Sequence, residues 1–476
     1  LRLCAKILLG ENMKKITIKR FIIFLVIGIA IGYGITVAID KYKEYKRQQE
    51  YNREKDISGI ITDASMNNLT IDYQGNIYTF STMDVDMSNV TEVVLGDTTK
   101  ITYTGLINKT EDFQTDVQVK KVDITVVEHD TYPDYVKEDG IFSEYYKQAY
   151  DKMSTMSTDE KIGQLFLVRV PASNTQNVVS QYQFGGYILF GRDTENKTKD
   201  ELINNIKSYQ SVSKIPLIIA TDEEGGIVVR VSNNSNLASE AFKSPQELYN
   251  EGGYSLIKQD TITKGNLLSS LGINVNLAPV ADVSTNSSDY IYSRSFGKDA
   301  TQTSKYVSTV ISASHETSTS FVMKHFPGYG NNADTHTGIS IDNRSLDSFK
   351  KSDFLPFEAG IKENGEAILV NHNIIVNIEN NIPASLSPKV HNILRSELGF
   401  TGIIMTDDLA MDAIKNYVEK PSVQALKSGN YMIIITDYEE GIKEIKEALN
   451  SGTIGMETIN KAVTRILAWK YYKKMM

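Results

Sequence analysis

The chain has 476 residues, with 50 Lys and Arg against 59 Asp and Glu, and a net charge of −9. That acidic balance excludes a protein working through a broad basic nucleic-acid surface, and the single cysteine, Cys4, excludes a disulfide framework and a cysteine-built zinc site. A hydrophobic content of 41% is ordinary for a globular protein, and the length allows two or three domains, one of them an α/β barrel.

Residues 1–12, LRLCAKILLGEN, are read as an untranslated upstream extension, because Met13-Lys14-Lys15 opens as a membrane-targeted chain does. An uncharged run, FIIFLVIGIAIGYGITVAI, then extends from Phe21 to Ile39. Nineteen residues at helical rise are about enough to cross a hydrocarbon core of roughly 30 Å. Lys14, Lys15, Lys19 and Arg20 precede the run, which puts its start on the cytoplasmic side. No small-x-small cleavage signal follows it, and no cysteine that could carry a lipid. Residues 13–39 are therefore predicted to be an uncleaved signal anchor, with the rest of the chain outside the cell.

Residues 40–56, DKYKEYKRQQEYNREKD, are nearly all polar and predict a charged helical stalk. Over 57–128 apolar and polar residues alternate, with turn signals at Asn67-Asn68 and Gln74-Gly75-Asn76. Period two with short turns predicts a small antiparallel β domain. It carries no cluster of catalytic residues, so it reads equally as a spacer or as a module that contacts the cell wall. Residues 129–140, HDTYPDYVKEDG, are a linker.

From 141 to 476 the pattern changes. Eight short apolar runs recur: QLFLVRV, GGYILFG, PLIIATD, NVNLAPVAD, SFVMKHF, AILVNHN, GIIMTDD and YMIIITD. Amphipathic stretches such as KDELINNIKSYQSVS separate them. Strands that are apolar throughout and alternate with helices belong to a parallel sheet covered on both faces. Eight such units predict a TIM barrel. A doubly wound open sheet is the alternative, but no glycine-rich phosphate turn follows the first strand.

In such a barrel the C-terminal strand ends carry the chemistry. Here they place Arg169, Asp222, Asp282, Lys324 with His325, His372, and Asp407 with Asp408, and a loop after the fourth strand adds Arg294. Carboxylates beside cations and histidines suit glycoside hydrolysis, in which one carboxylate attacks the anomeric centre and another group moves protons. A metal held by His325 and His336 is the rival. Those residues lie eleven positions apart without a short ligand spacing, and Lys324 beside them opposes a cation, so no metal or cofactor is expected. His372 reads as a satisfied core histidine, His315 and His391 as surface residues, and Asp282 as a group that closes its strand end.

Seven ordered motifs complete the reading: MSTDEKIGQLFLVR, ATDEEGGIVVR, LAPVADV, YSRSFG, KHFPGYG with DTH, PASLSP, and GIIMTDDLAM. Together they resemble glycoside hydrolase family 3, in the form of the bacterial β-N-acetylglucosaminidases. The resemblance implies a retaining exo-hydrolase that removes terminal GlcNAc, with peptidoglycan fragments as the substrate an outward-facing anchor suggests. It implies Asp407 as nucleophile, His336 as acid/base and Asp334 as the partner of His336, with Asp222, Arg294, Lys324 and His325 binding the sugar. The loop that carries DTH would close when substrate binds. A family 3 β-glucosidase, a phosphorylase and a non-enzymatic wall-binding protein are the alternatives. Three positions depart from the motifs: Tyr329 stands where a histidine is usual, Ile227 where an arginine is common, and Tyr431 where an aspartate is common.

Overall fold

The computed structural model describes residues 18–65, 67–85, 87, 90, 93–125, 132–335 and 338–476. Residues 1–12, the first residues of the predicted anchor, part of the 129–140 linker, and His336 lie outside the described residues. The chain divides into two compact units, Leu1–Thr131 and Tyr132–Met476.

In the first unit one uninterrupted helix, Ile18–Asn52, holds the apolar run and the charged segment together. By length and composition it can cross a membrane. Five strands follow: β1 (Lys55–Ala64), β2 (Asn68–Tyr73), β3 (Asn76–Ser81), β4 (Thr98–Gly105) and β5 (Val117–Thr125). They form an antiparallel sheet in the order β3-β2-β1-β4-β5. Alternation sets the buried face: Ile57, Ile61, Leu69, Ile71, Phe80, Ile101 and Val122 point inward. Gln74 and Gly75 both have positive φ, the two-residue turn whose twist matches a hairpin, and Asp72 Oδ1 accepts the Gly75 N–H at 2.8 Å.

In the second unit the eight predicted runs supply eight parallel strands. They are β6 (Phe166–Arg169), β7 (Gly186–Leu189), β8 (Ile218–Thr221), β9 (Val275–Asn276), β10 (Ser320–Phe326), β12 (Ala367–Val370), β14 (Ile403–Thr406) and β15 (Ile433–Ile435), while β11 (Ile341–Asp342) and β13 (Ile374–Ile375) pair separately. Their order, β14-β12-β10-β9-β8-β7-β6-β15, follows the chain around a nearly closed barrel. The first strand pairs with the last, Phe166 opposite Ile433. The seam between β14 and β15 is bridged by Thr406 N–H to Met432 O at 3.2 Å and Leu409 N–H to Ile434 O at 3.1 Å.

The strands are buried because helices cover their outer face. Three of those helices begin with reciprocal caps visible in the sequence. Ser157, Thr198 and Ser244 each accept a backbone N–H three residues on, and Glu160, Glu201 and Glu247 return the bond. The fourth predicted strand is the shortest. Pro279 has no N–H for the ladder, so regular pairing stops at Asn276 and resumes as one bridge, Val280 to Lys324.

His391, expected at the surface, is instead 2% exposed. The helix Pro388–Asn392 runs directly into a π-helical turn, Ile393–Glu397. A helix of five residues is too short for its period to mark a buried face. His391 Nδ1 lies 2.8 Å from Ser387 O, and burial lowers its pKa to about 4. His315 is exposed as expected, and His372 is buried between Ser385 Oγ and Asp408 O.

Candidate active site

The C-terminal ends of the barrel strands surround a cavity of about 770 Å³. Asp222, Arg294, Lys324, His325 and Asp407, all singled out in the sequence, line it together with Arg169 and Asp408.

The cluster is built around a residue the sequence reading passed over. Glu224 is 5% exposed and receives Arg294 through two bonds, Nε to Oε2 at 3.0 Å and Nη2 to Oε1 at 2.7 Å. Lys324 Nζ lies 2.6 Å from Glu224 Oε1 and 2.6 Å from Asp222 Oδ1. Two carboxylates and two cations thus balance, with Lys324 and Glu224 buried and Asp222 and Arg294 half-buried, which is what lets the inner pair keep its charge. Burial alone would raise the Glu224 pKa, but Lys324 and Arg294 outweigh it and hold the carboxyl well below the usual range. Lys324 is raised in turn: desolvation opposes its charge, and Asp222 and Glu224 restore it.

Glu224 was missed because the reading of that strand end stopped at Asp222. The doubled acid in ATDEEGG was the available signal. Its neighbour Glu223 turns away from the cavity and accepts the backbone N–H groups of Arg230, Val231 and Ser232. It ties down the loop that Asp222 begins.

His325 is fixed from both sides. Its Nδ1 lies 2.8 Å from Asp282 Oδ2, and Arg294 Nη2 lies 3.2 Å from its Nε2. An arginine can only donate, so Nε2 accepts and the ring proton sits on Nδ1. Asp282 therefore does more than close its strand end: it sets the tautomer and the orientation of a cavity residue.

Asp407 follows β14, its N–H bonded to Val370 O at 3.0 Å, and its Oδ1 accepts the Asp408 N–H at 2.9 Å. Asp408 is held away by Thr436 Oγ1 and the Ala410 N–H, and burial raises its pKa. Of the predicted pair on the DTH loop, Asp334 lies close enough to Tyr290, which lines the cavity, for its charge to act on that phenol. Burial, followed by the Asp334 charge acting against Arg294, pushes that phenol up to about 12.

The glycines of KHFPGYG have a definite task. Gly328 and Gly330 have φ of +122° and +56°, and a Cβ on either would collide with the Asp353 carboxylate or the Arg344 guanidinium. Arg344 bonds Asp342, Asp353 and the Gly328 carbonyl. Burial lifts the Asp353 carboxyl to about 6 against the pull of Arg344. The base of this loop is thus clamped on charged side chains.

The three departures fall in different places. Ile227 lines the cavity and is 68% exposed. Tyr431 precedes β15, at the opposite end of the barrel, with the Arg395 guanidinium 4.6 Å from its ring centre. Tyr329 is 1% exposed and sits against His325, rings perpendicular and 5.2 Å apart. Among the described residues, no group of three His, Cys, Asp or Glu side chains is arranged to hold a metal ion.

A parallel eight-stranded barrel with charged side chains converging at its C-terminal strand ends defines a TIM-barrel enzyme class. The family described as "Glycosyl hydrolase family 3 N terminal domain" matches residues 157–469, and the chain belongs to glycosyl hydrolase family 3. It is 28% identical over 323 residues to Beta-hexosaminidase A of Pseudoalteromonas piscicida, covering 62% of this chain and 54% of that protein. It is 29% identical over 329 residues to Beta-hexosaminidase LpqI of Mycobacterium tuberculosis, covering 66% and 83%. Among solved structures it resembles a glycoside hydrolase family 3 beta-N-acetylglucosaminidase from Paenibacillus sp., with 26% identity, a TM-score of 0.63, and coverage of 67% of this chain and 63% of that one. The chain thus spans little more than half of the first of these relatives.

Proposed function

We propose that the chain is a retaining exo-β-N-acetylglucosaminidase that acts on β-linked glycans. The observation that carries this reading is the convergence of Asp407 with the Asp222–Lys324–Glu224–Arg294 cluster in one cavity of sugar size. The beta-hexosaminidase names of the relatives above support the same substrate class.

In the first step an Asp407 carboxylate oxygen bonds to the anomeric carbon while the bond to the leaving oxygen breaks. His336 gives that oxygen its proton. In the second step water attacks the same carbon, His336 takes the water's proton, and Asp407 leaves. Two inversions give net retention. Imidazole suits this exchange because its ordinary pKa of about 6.5 lets it give and take a proton near neutrality. Asp334 orients the ring and stabilises the imidazolium, as a triad aspartate does. Asp222 accepts bonds from sugar hydroxyls, Lys324 and Arg294 donate to them, and His325 offers its Nε2 edge. Because these groups are already buried and paired, a ligand lacking the matching hydroxyl leaves one of them unsatisfied.

The exposed apolar side chains of the Ile18–Asn52 helix support a single-pass anchor with the barrel outside the cell. The β1–β5 sheet is then a spacer or a wall-contacting module, and peptidoglycan fragments are the glycan within reach. A family 3 β-glucosidase is the second reading, and a phosphorylase a third, because a histidine repels incoming phosphate less than a carboxylate does.

Full-length protein in detergent, assayed on aryl β-GlcNAc and aryl β-glucoside with and without phosphate, tests the proposal. GlcNAc preference, β-configured first product by NMR and loss of activity in Asp407→Asn are expected. Preference for the glucoside, or a sugar phosphate as product, would overturn the substrate or reaction assignment.

A further inference from the structure

We propose that Tyr329 is a positioning residue for the acid/base loop, its phenol holding Thr335, the residue that immediately precedes His336. This rests on the glycosidase reading above and names the device that orients its proton donor.

The Tyr329 hydroxyl lies 2.6 Å from Thr335 Oγ1. The preceding residue, Asp334, acts by its charge on Tyr290. Both tyrosines are themselves anchored in the sugar-binding cluster. The Tyr329 N–H donates to Asp282 Oδ1 at 2.7 Å, and the other oxygen of that carboxylate holds His325. Arg294 Nη1 lies 3.4 Å from the Tyr290 hydroxyl while its other nitrogens hold Glu224. The two rings touch, centroids 5.7 Å apart.

The loop after β10 is rich in Gly and Asn, which leave a backbone many conformations to lose on ordering. The Tyr329 hydroxyl removes that freedom where it matters, one residue before the proton donor.

The test uses the leaving group. A glycoside with a poor leaving group, such as phenyl β-GlcNAc, needs a proton as its bond breaks. The 2,4-dinitrophenyl glycoside hardly does. The variants are Tyr329→Phe and Thr335→Val, which attacks the same bond from its other side. Each is expected to lose about tenfold in kcat/KM on the phenyl glycoside, the scale of one misplaced hydrogen bond in acid catalysis, and far less on the dinitrophenyl glycoside. The second substrate also reports whether the variant has folded. Equal losses on both substrates, or no loss on either, would overturn the positioning role. Wild-type protein inactive on both would overturn the glycosidase reading, and this inference with it.

Discussion

The Nδ1 of His325 lies 2.8 Å from Oδ2 of Asp282, and that same oxygen accepts the His325 backbone N–H at 3.1 Å. One buried carboxylate thus fixes both the ring and the strand end that presents it. Asp282→Asn replaces an acceptor with a donor that faces these N–H groups. Activity on aryl β-GlcNAc should fall about tenfold to hundredfold, as for the loss of an outer partner that orients a site residue. Unfolding free energy should fall by about 1–3 kcal/mol. Steady-state kinetics and urea unfolding check the two effects.

Glu224→Gln should be the more damaging change to the fold. It leaves Arg294 and Lys324 buried with half of their counter-charge. Breaking a buried ion cluster from one side costs about 3–5 kcal/mol. A urea midpoint unchanged from wild type would contradict the account of the cluster.

Stability should depend on pH through His391. Its pKa is near 6.5 in an unfolded chain and about 4 in the fold, where burial favours the neutral ring. The unfolded chain then binds the proton more readily. The contribution is full above pH 6.5 and is lost as pH falls through about 4. Thermal unfolding followed from pH 7 to pH 4 should show a falling midpoint, and His391→Gln should flatten that fall.

Two glycines with positive φ separate strain from collision. Gly452 has φ +71° with nothing near its Cβ, so Gly452→Ala should cost about 1 kcal/mol. Gly328→Ala adds a collision with the Asp353 carboxylate and should cost at least about 2 kcal/mol. Similar melting temperatures for the two variants would contradict the clamp described under the loop.

The barrel was legible because a parallel strand buried on both faces must be apolar throughout, and eight such runs stand out from the amphipathic segments between them. Asp222, Lys324, His325 and Asp407 were legible because a polar residue at the end of an apolar strand is conspicuous, Arg294 because it stands in the YSRSFG loop, and the structure gathers all five in one cavity. Glu224 escaped because it lies three residues beyond its strand. Tyr290 escaped because a tyrosine in an irregular loop has no periodicity to mark it. His391 was misread because a five-residue helix is too short for its period to mark a buried face.

The pairing of β6 with β15 has a consequence in time as well as in space. The first barrel strand leaves the ribosome long before its neighbour exists. Until β15 arrives, β6 keeps an open hydrogen-bonding edge, and closing so long a loop is the slow kind of contact. Arg169 ends the first strand and Thr436 follows the last, and both line the cavity. The cavity is therefore completed by the event that seals the barrel, which brings its first-strand and last-strand walls together.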